Sequence, residues 1–312
     1  MKILFFGTPA VAAPFLAHLL ERETVTGVVC KADEPAGRGY EIKSPPVKLA
    51  AQKASIPVFQ PTGPWQSSQL ESLRSLGAEV GIVVAYGRIM PRDVFQIPHH
   101  GCLNIHFSML PRYRGAAPIQ WALVNGETQT GVSAFWLDEG MDTGPLFAQR
   151  AVSIAAEDDV VSLREKLVGA GLLLLDEVLN RLAAGKETRE PQKGPASLAP
   201  RLTKEMGRID WKLPAVRLGN LIRGIVEWPG ASTLYPTPAG PRQLKILKAK
   251  AESGNGKMEP GAIVEPRKGV GFSVRAGEGQ LLALEVQAEG KKPMPAWSFW
   301  QGARLKVGDQ LG

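Results

Sequence analysis

The chain has 312 residues, a hydrophobic content of 44% and a formal net charge of +7 at neutral pH. This length and composition exclude a disordered chain and leave room for two folded domains. No apolar run approaches the roughly 20 residues that a membrane-spanning helix needs, and two distant cysteines suit a reducing compartment, so we expect a cytoplasmic protein without membrane contact.

The first half of the chain alternates short, β-rich apolar runs with helical patterns. Strands are predicted at residues 3–6, 25–30, 80–85 and 102–106, and helices at 10–20 and 69–76. This alternation is typical of an α/β fold with an open, mostly parallel, Rossmann-like sheet. Such sheets bind ligands at the carboxyl ends of their strands, so we expect chemistry in the loops after Phe6, Ala85 and His106.

The second half begins with a predicted helix at residues 160–182 and then a stretch rich in Lys, Glu, Pro and Gly that breaks the helical pattern. We therefore predict a first domain at 1–184, a linker at 185–203 and a second domain at 204–312. A helix at 214–226 and short alternating runs at 231–235, 244–248, 271–274 and 281–286 indicate a small, OB-like β-barrel in the second domain.

The net charge is concentrated in that second domain. Residues 204–312 hold 17 Lys and Arg against 10 Asp and Glu, so the whole excess of positive charge lies there. A basic face of this kind attracts polyanions such as nucleic acids. An ordinary solvated surface is the alternative that composition alone leaves open.

Polar residues at the end of one predicted strand, together with an acidic loop, could form a reaction site in the first domain. Asn104 and His106 stand two positions apart at the end of a predicted strand, so their side chains share one face. An amide donor beside an imidazole suits an oxyanion, and the glycine-punctuated acidic loop at residues 138–144 could bring a carboxylate back to that imidazole. The alternative is a strand-end histidine with an ordinary partner and an ordinary turn rich in Asp and Gly.

Two other kinds of site are less well supported. His99, His100, Cys102 and His106 are close in sequence, as zinc ligands can be. Adjacent residues of an extended chain point to opposite sides, however, and no Cys-x-x-Cys or helical His pair accompanies them, so we expect no metal. A dinucleotide site is also not expected, because the turn after Phe6 lacks the G-x-G-x-x-G fingerprint.

Longer motifs extend over nearly the whole chain. They are F-F-G-T-P at 5–9, P-A-G-R-G at 35–39, S-P-P-V-K at 44–48, V-A-Y-G at 84–87, N-I-H-F-S-M-L-P-R-Y-R-G-A-A-P at 104–118, D-E-G-M-D-T-G at 138–144 and L-T-K-E-M-G-R-I-D-W at 202–211. Together they resemble the folate-dependent formyltransferases, and within that family the enzymes that formylate the methionine of initiator tRNA.

The resemblance implies the formyltransferase fold and transfer of a formyl group from 10-formyltetrahydrofolate to initiator methionyl-tRNA. It implies that Asn104, His106 and Asp142 are catalytic. It also implies that the folate is held by the loop of Ser108, Met109, Leu110 and Pro111. Phe107 departs from the family, where a small residue is common at this place, so we expect a reshaped wall of the folate pocket.

The same resemblance implies that the loop at residues 33–48 contacts the acceptor end of the tRNA through Arg38 and Lys43. In the basic second domain, Lys245 and Lys248 are the expected phosphate contacts. We expect a monomer. A formyltransferase that acts on an amino-sugar nucleotide is the alternative, because the family shares its donor chemistry and not its acceptor.

Overall fold

The computed structural model of the protein describes residues 1–36, 41–254 and 256–312, which form two compact units. The first unit comprises Met1–Pro118, Gln129–Ser153 and Arg164–Ala199, and the second comprises Ile119–Thr128, Ile154–Leu163 and Pro200–Gly312. The division after Ala199 lies inside the stretch predicted as a linker. The predicted domains at 1–184 and 204–312 stay a prediction.

The first unit is built on β-strands. They are β1 (Lys2–Gly7), β2 (Thr24–Val29), β3 (Glu34–Ala36), β4 (Glu41–Lys43), β5 (Val58–Phe59), β6 (Val80–Val84), β7 (Cys102–His106), β8 (Gln129–Trp136) and β9 (Leu146–Ser153). Seven form one sheet in the order β5-β2-β1-β6-β7-β8-β9, while β3 and β4 pair separately. Pairing is parallel from β5 to β7 and antiparallel from β7 to β9, so the predicted open, mostly parallel, Rossmann-like sheet is confirmed.

The central strands of this sheet are apolar because both of their faces are covered. Every residue of β6 is buried, and so is every residue of β1 except Lys2. Strands buried on both faces are continuous apolar runs rather than alternating ones. The strands β8 and β9 lie on the outer side of β7 and were not predicted from the sequence.

Helices alternate with these strands along the chain. They are α1 (Ala13–Arg22), α2 (Pro46–Lys53), α3 (Ser67–Ser75), α4 (Arg92–Phe95), α5 (Pro118–Val124) and α6 (Val160–Ala183). Helix α6 approaches α1 closely at Gly171, where a Cβ would come 2.8 Å from the ring of Phe15. Among the helices in the described residues, none is both long and apolar enough to span a membrane.

One hydroxyl group ties together three loops at the carboxyl ends of parallel strands. Thr8, after β1, donates its Oγ1–H to the carbonyl oxygen of Tyr86, after β6, at 2.8 Å. The same Oγ1 accepts a hydrogen bond from the backbone N–H of Lys31, after β2, at 3.2 Å. The loops are therefore fixed at the edge where open parallel sheets bind their ligands.

From Pro200 onward, the described residues of the second unit form an antiparallel sheet and two α-helices. Its elements are α7 (Ala215–Ile225), β10 (Ala231–Tyr235), β11 (Arg242–Glu252), β12 (Ile263–Arg267), β13 (Gly271–Arg275), β14 (Gln280–Ala288), β15 (Met294–Pro295) and α8 (Ala296–Ala303). The sheet has the order β10-β11-β14-β13-β12, with β15 paired to β14. Helix α7 packs against β11 and β14, and α8 packs against β13.

The C-terminal segment connects the two outer strands of that sheet. The N–H of Ile263, in β12, donates to the carbonyl of Asp309 at 2.9 Å, and the N–H of Gly312 donates to the carbonyl of Leu234, in β10, at 3.0 Å. The β12 and β10 edges are thus joined through the chain end, as expected of a small barrel-like domain. The predicted C-terminal β domain is confirmed.

Candidate active site

His106 ends strand β7 and is buried, with 6% of its surface exposed. Its Nε2 lies 2.9 Å from the carbonyl oxygen of Tyr113. A carbonyl can only accept, so Nε2 carries a proton in this contact. Its Nδ1 lies 3.6 Å from Oδ2 of Asp142. Both ring nitrogens therefore face oxygen atoms: the Tyr113 carbonyl lies at hydrogen-bond distance from Nε2, and the Asp142 carboxylate lies just beyond that distance from Nδ1.

Asp142 reaches His106 from the loop between β8 and β9. Its Oδ2 accepts a hydrogen bond from the backbone N–H of Gly115 at 2.8 Å. Its φ of 55° lies in the left-handed region, which Asp and Asn tolerate better than most residues. Gly144 is so close to the carbonyl oxygen of Trp136 that a Cβ would clash with it. The backbone of this loop therefore restricts which residues can occupy positions 142 and 144.

Asn104 lies two residues before His106 in β7, so the two side chains share one face of the strand. The Asn104 side chain is half-buried, and within the described ranges no protein group hydrogen-bonds its amide. A half-buried amide without a protein partner is available to a ligand. The structure thus brings His106 and Asp142 together beside this free amide, while the catalytic roles of the three residues stay a prediction.

The loop after β7 contains the residues predicted to hold folate, and β8 and β9 brace it. Ser133 of β8 donates its Oγ–H to the carbonyl of Ser108 at 2.6 Å and accepts from the N–H of Leu110 at 3.1 Å. Gln149 of β9 donates to the Ser133 hydroxyl at 2.8 Å and to the Leu110 carbonyl at 3.0 Å. The loop residues themselves are the buried Ser108, Leu110 and Pro111 and the half-buried Met109.

We expect Ser133→Ala to lower the free energy of unfolding by about 2 kcal/mol, because it deprives the buried Leu110 N–H and Ser108 carbonyl of a partner. Urea unfolding measures the loss. The matched control is Thr130→Val in the same strand, since the buried Thr130 hydroxyl has no hydrogen-bond partner among the described residues. Its removal should cost little. Equal losses in both variants would contradict the bracing role of Ser133.

The four predicted tRNA contacts differ in how far the structure describes them. Arg38 lies outside the described residues. Lys43 ends β4 and has an exposed side chain, and Lys248 in β11 is exposed as well. Lys245 is half-buried, and its Nζ donates to the carbonyl of Pro229 at 3.1 Å. Of the two lysines predicted in the second domain, Lys248 is therefore the more accessible to a phosphate.

The base of the loop that contains Arg38 is anchored by Asp33. Its carboxylate accepts hydrogen bonds from Gln60 Nε2 at 2.8 Å, Lys48 Nζ at 2.8 Å and Ser44 Oγ at 2.9 Å. These hydrogen bonds lower the pKa of Asp33 to about 2, with the largest contribution from Gln60 and the second largest from Lys48. Asp33 therefore stays ionised at neutral pH and keeps both ends of the loop attached to the first unit.

One residue of the site comes from the stretch predicted as a linker and was not predicted. Gln192 donates its side-chain N–H groups to the carbonyls of Asp142 at 2.9 Å and Gly144 at 2.8 Å. A single glutamine in a stretch rich in Lys, Pro and Gly carries no sequence signal for such a role.

In the part of the chain that the structure describes, no group of three or more His, Cys, Asp or Glu side chains is placed to hold a metal ion.

Comparison with protein families gives two matches that together cover most of the chain. The profile of the family described as "Formyl transferase" matches residues 1–179. The profile described as "Formyl transferase, C-terminal domain" matches residues 201–304. The first match alone contains the whole of β1 to β9 and the residues Asn104, His106 and Asp142.

Curated relatives are similar over the full length. The chain is 43% identical to the methionyl-tRNA formyltransferase of Geobacter metallireducens, covering 100% of this chain and 99% of that protein. It is 40% identical to the methionyl-tRNA formyltransferase of Caldanaerobacter subterraneus, with 100% of both chains covered. Similarity at this level extends over both units.

Solved structures share the fold at lower identity. An N-formyltransferase from Helicobacter canadensis, in complex with folinic acid and dTDP-3-aminofucose, matches with a TM-score of 0.66 and 19% identity over 92% of this chain and 99% of that one. HypX from Aquifex aeolicus, in complex with tetrahydrofolic acid, matches with a TM-score of 0.64 and 18% identity over 99% of this chain and 48% of that one.

Proposed function

The chain belongs to the methionyl-tRNA formyltransferase family, and from this premise we propose that Asn104, His106 and Asp142 catalyse transfer of the formyl group of 10-formyltetrahydrofolate to the amino group of initiator methionyl-tRNA. The observation that carries the proposal is the position of buried His106 between the Tyr113 carbonyl and Asp142, with the unpartnered amide of Asn104 on the same strand face. Similarity to full-length enzymes named for this reaction supports the choice of substrates.

The residues at the end of β7 fit a formyl donor. 10-Formyltetrahydrofolate, when bound, supplies the carbonyl carbon that an amine attacks. Asn104 offers a half-buried N–H donor without a protein partner in the described chain, which is what a formyl oxygen needs. The braced loop of residues 108–111 lies directly after the strand and offers a fixed surface for the folate.

Asn104 and His106 stabilise the negative charge that develops on the formyl oxygen. Asn104 donates an amide N–H to this oxygen, and a protonated His106 adds a charged donor. Because Nε2 is held by the Tyr113 carbonyl, Nδ1 is the ring nitrogen available to the reaction. Both interactions strengthen as charge develops, and loss of one such donor typically slows a reaction by about 100- to 1000-fold.

Asp142 handles the proton. The attacking amine becomes positively charged as it adds to the formyl carbon and must lose a proton, while the departing folate nitrogen must gain one. Asp142 accepts the first proton and returns it to the departing nitrogen, directly or through water. Its Oδ2 already accepts the N–H of Gly115, and no protein group in the described ranges hydrogen-bonds Oδ1, so Oδ1 is the oxygen suited to this transfer.

The test of this function is formylation of initiator methionyl-tRNA by the purified full-length protein with 10-formyltetrahydrofolate, followed by the mobility of the tRNA on an acid gel. We expect formylation by the wild type and none without the folate. A folded protein that leaves the tRNA unchanged would overturn the proposal. An amino-sugar nucleotide, tested in parallel with release of tetrahydrofolate as the readout, would then be the acceptor to examine.

Arg38 is proposed to contact the acceptor end of the tRNA. We expect Arg38→Ala to raise the KM for methionyl-tRNA about 10-fold, equivalent to about 1.4 kcal/mol, because a cationic contact is lost. The KM for 10-formyltetrahydrofolate should not change. Steady-state kinetics with each substrate varied in turn measures both values. Arg74→Ala, which removes an exposed arginine from α3, is the matched control. An equal rise in both KM values would contradict the assignment.

The tRNA is further proposed to contact the basic residues of the second unit, with Lys248 as a phosphate contact.

We also propose that the enzyme works as a monomer in the cytoplasm, where charged initiator tRNA is formylated before translation. Light scattering of the purified protein gives the oligomeric state. A stable dimer at the concentration of the assay would contradict the proposal that the enzyme works as a monomer.

A further inference from the structure

We propose that Gln192 is a positioning residue for Asp142, supplied by the segment that follows helix α6. The inference rests on the proposed role of Asp142 in proton transfer. Gln192 is half-buried in the first unit and lies 50 residues along the chain from Asp142. Its side chain has one donor group and one acceptor group, and each of them contacts a different loop of the site.

The donor end of Gln192 holds the loop that carries Asp142. Its Nε2 lies 2.9 Å from the carbonyl oxygen of Asp142 and 2.8 Å from that of Gly144. A primary amide has two N–H groups, so each carbonyl receives one of them. Both hydrogen bonds go to backbone atoms and leave the Asp142 carboxylate free for its own contacts.

The acceptor end of Gln192 holds the loop that faces Asp142 from the other side. Its Oε1 accepts from the guanidinium of Arg114, at 3.2 Å from Nε and 2.7 Å from the terminal nitrogen. The next residue, Gly115, is the one whose N–H donates to Oδ2 of Asp142. The guanidinium can only donate and the carbonyls can only accept, so one orientation of the amide satisfies both ends. Gln192 thereby links the backbone of Asp142 to the loop that binds its carboxylate.

Asp142 needs such support because its backbone is in the left-handed region, with φ at 55°. Asp tolerates this conformation better than most residues do, but it still costs energy, and surrounding contacts help to maintain it. In the same loop, the hydroxyl of Thr143 donates to the carboxylate of Asp138. Gln192 donates to the carbonyl of Asp142. Loss of Gln192 would let the carboxylate move away from Nδ1 of His106.

The segment that carries Gln192 is itself anchored on both sides. Before it, Glu190 exchanges two backbone hydrogen bonds with Leu146 of β9, at 2.7 and 2.9 Å. After it, the hydroxyl of Ser197 accepts from the N–H of Tyr113 at 2.9 Å, and the Tyr113 carbonyl is the one that holds His106. Gln192 is therefore presented from a fixed stretch of backbone, as a positioning residue must be.

The test compares two substitutions of similar size. Gln192→Met keeps the length of the side chain and removes every polar contact, whereas Gln192→Glu keeps an oxygen for Arg114 and removes the two donated hydrogen bonds. We expect kcat to fall about 10- to 100-fold in both variants, because the carboxylate is misplaced, with little change in either KM. Glu190→Gln, which alters an exposed side chain next to the site of substitution, should retain the wild-type kcat. Rates are counted per folded enzyme, from thermal unfolding of each variant.

Several outcomes would overturn the inference. Wild-type kcat in Gln192→Glu would show that the contact with Arg114 is sufficient and that donation to the Asp142 loop is not needed. A raised KM with unchanged kcat in Gln192→Met would make Gln192 part of a substrate site instead. An inactive wild-type protein would remove the proposed function and this inference with it, whereas an active wild type with unchanged variants would remove the inference alone.

Discussion

Asn104→Asp is expected to lower kcat at least about 1000-fold while the protein stays folded. The substitution places a carboxylate oxygen where an N–H donor would meet the developing oxyanion, so attraction is replaced by repulsion. The side chain of Asn104 makes no hydrogen bond to the described protein, and little stability depends on it. Single-turnover formylation of methionyl-tRNA at saturating enzyme measures the rate, and thermal unfolding confirms the fold.

The matched control for this variant is Asn180→Asp, which makes the same chemical change at an exposed position near the end of α6. Its kcat should equal that of the wild type. Near-normal turnover in Asn104→Asp would mean that another group meets the oxyanion. The backbone N–H groups of the loop after β7 would then be the next candidates, because they lie at the same strand end.

The sequence predicted the central strands well, because a strand buried on both faces is a continuous apolar run that is easy to recognise. The apolar runs that became β1, β2, β6 and β7 were found to within about two residues at their ends, which is the usual precision of strand boundaries. Strand β8 was missed because Gly131 and Ser133 interrupt its apolar pattern. A Cβ at Gly131 would clash with the side chain of Met109, and Ser133 braces the loop that contains Met109. The sequence pattern thus failed to predict a strand at residues that shape the site, which is where such failures are expected.

The candidate site could be predicted in part. A period of two residues was sufficient to put Asn104 and His106 on one strand face, and the resemblance added Asp142. The expectation that Phe107 reshapes the folate pocket rested on its size alone. The structure places its ring in the core, edge to face with Phe15 of α1 at a centroid distance of 6.2 Å. Gln192 was not predictable, because its contacts depend on how the segment after α6 folds back onto the sheet.

Asp142→Asn is expected to lower kcat about 1000-fold, with the KM for both substrates close to that of the wild type. The substitution removes the proton acceptor and the negative charge that faces Nδ1 of His106. It keeps an oxygen that can accept the N–H of Gly115, and asparagine tolerates the left-handed backbone as aspartate does. Single-turnover formylation gives the rate, and thermal unfolding shows whether stability is retained.

The same loop provides the control. Asp138 accepts hydrogen bonds from the hydroxyl of Thr143 at 2.7 Å and from the N–H of Gly140 at 3.0 Å, so its role is to shape the loop. Asp138→Asn should retain most of kcat, since an amide oxygen can accept at least one of these bonds. Similar losses in both variants would mean that loop conformation, rather than proton transfer, limits turnover. A loss confined to Asp142→Asn has a chemical cause, because that variant keeps the volume, the backbone and the Gly115 contact, while a neutral NH2 group replaces the oxygen that would take up the proton.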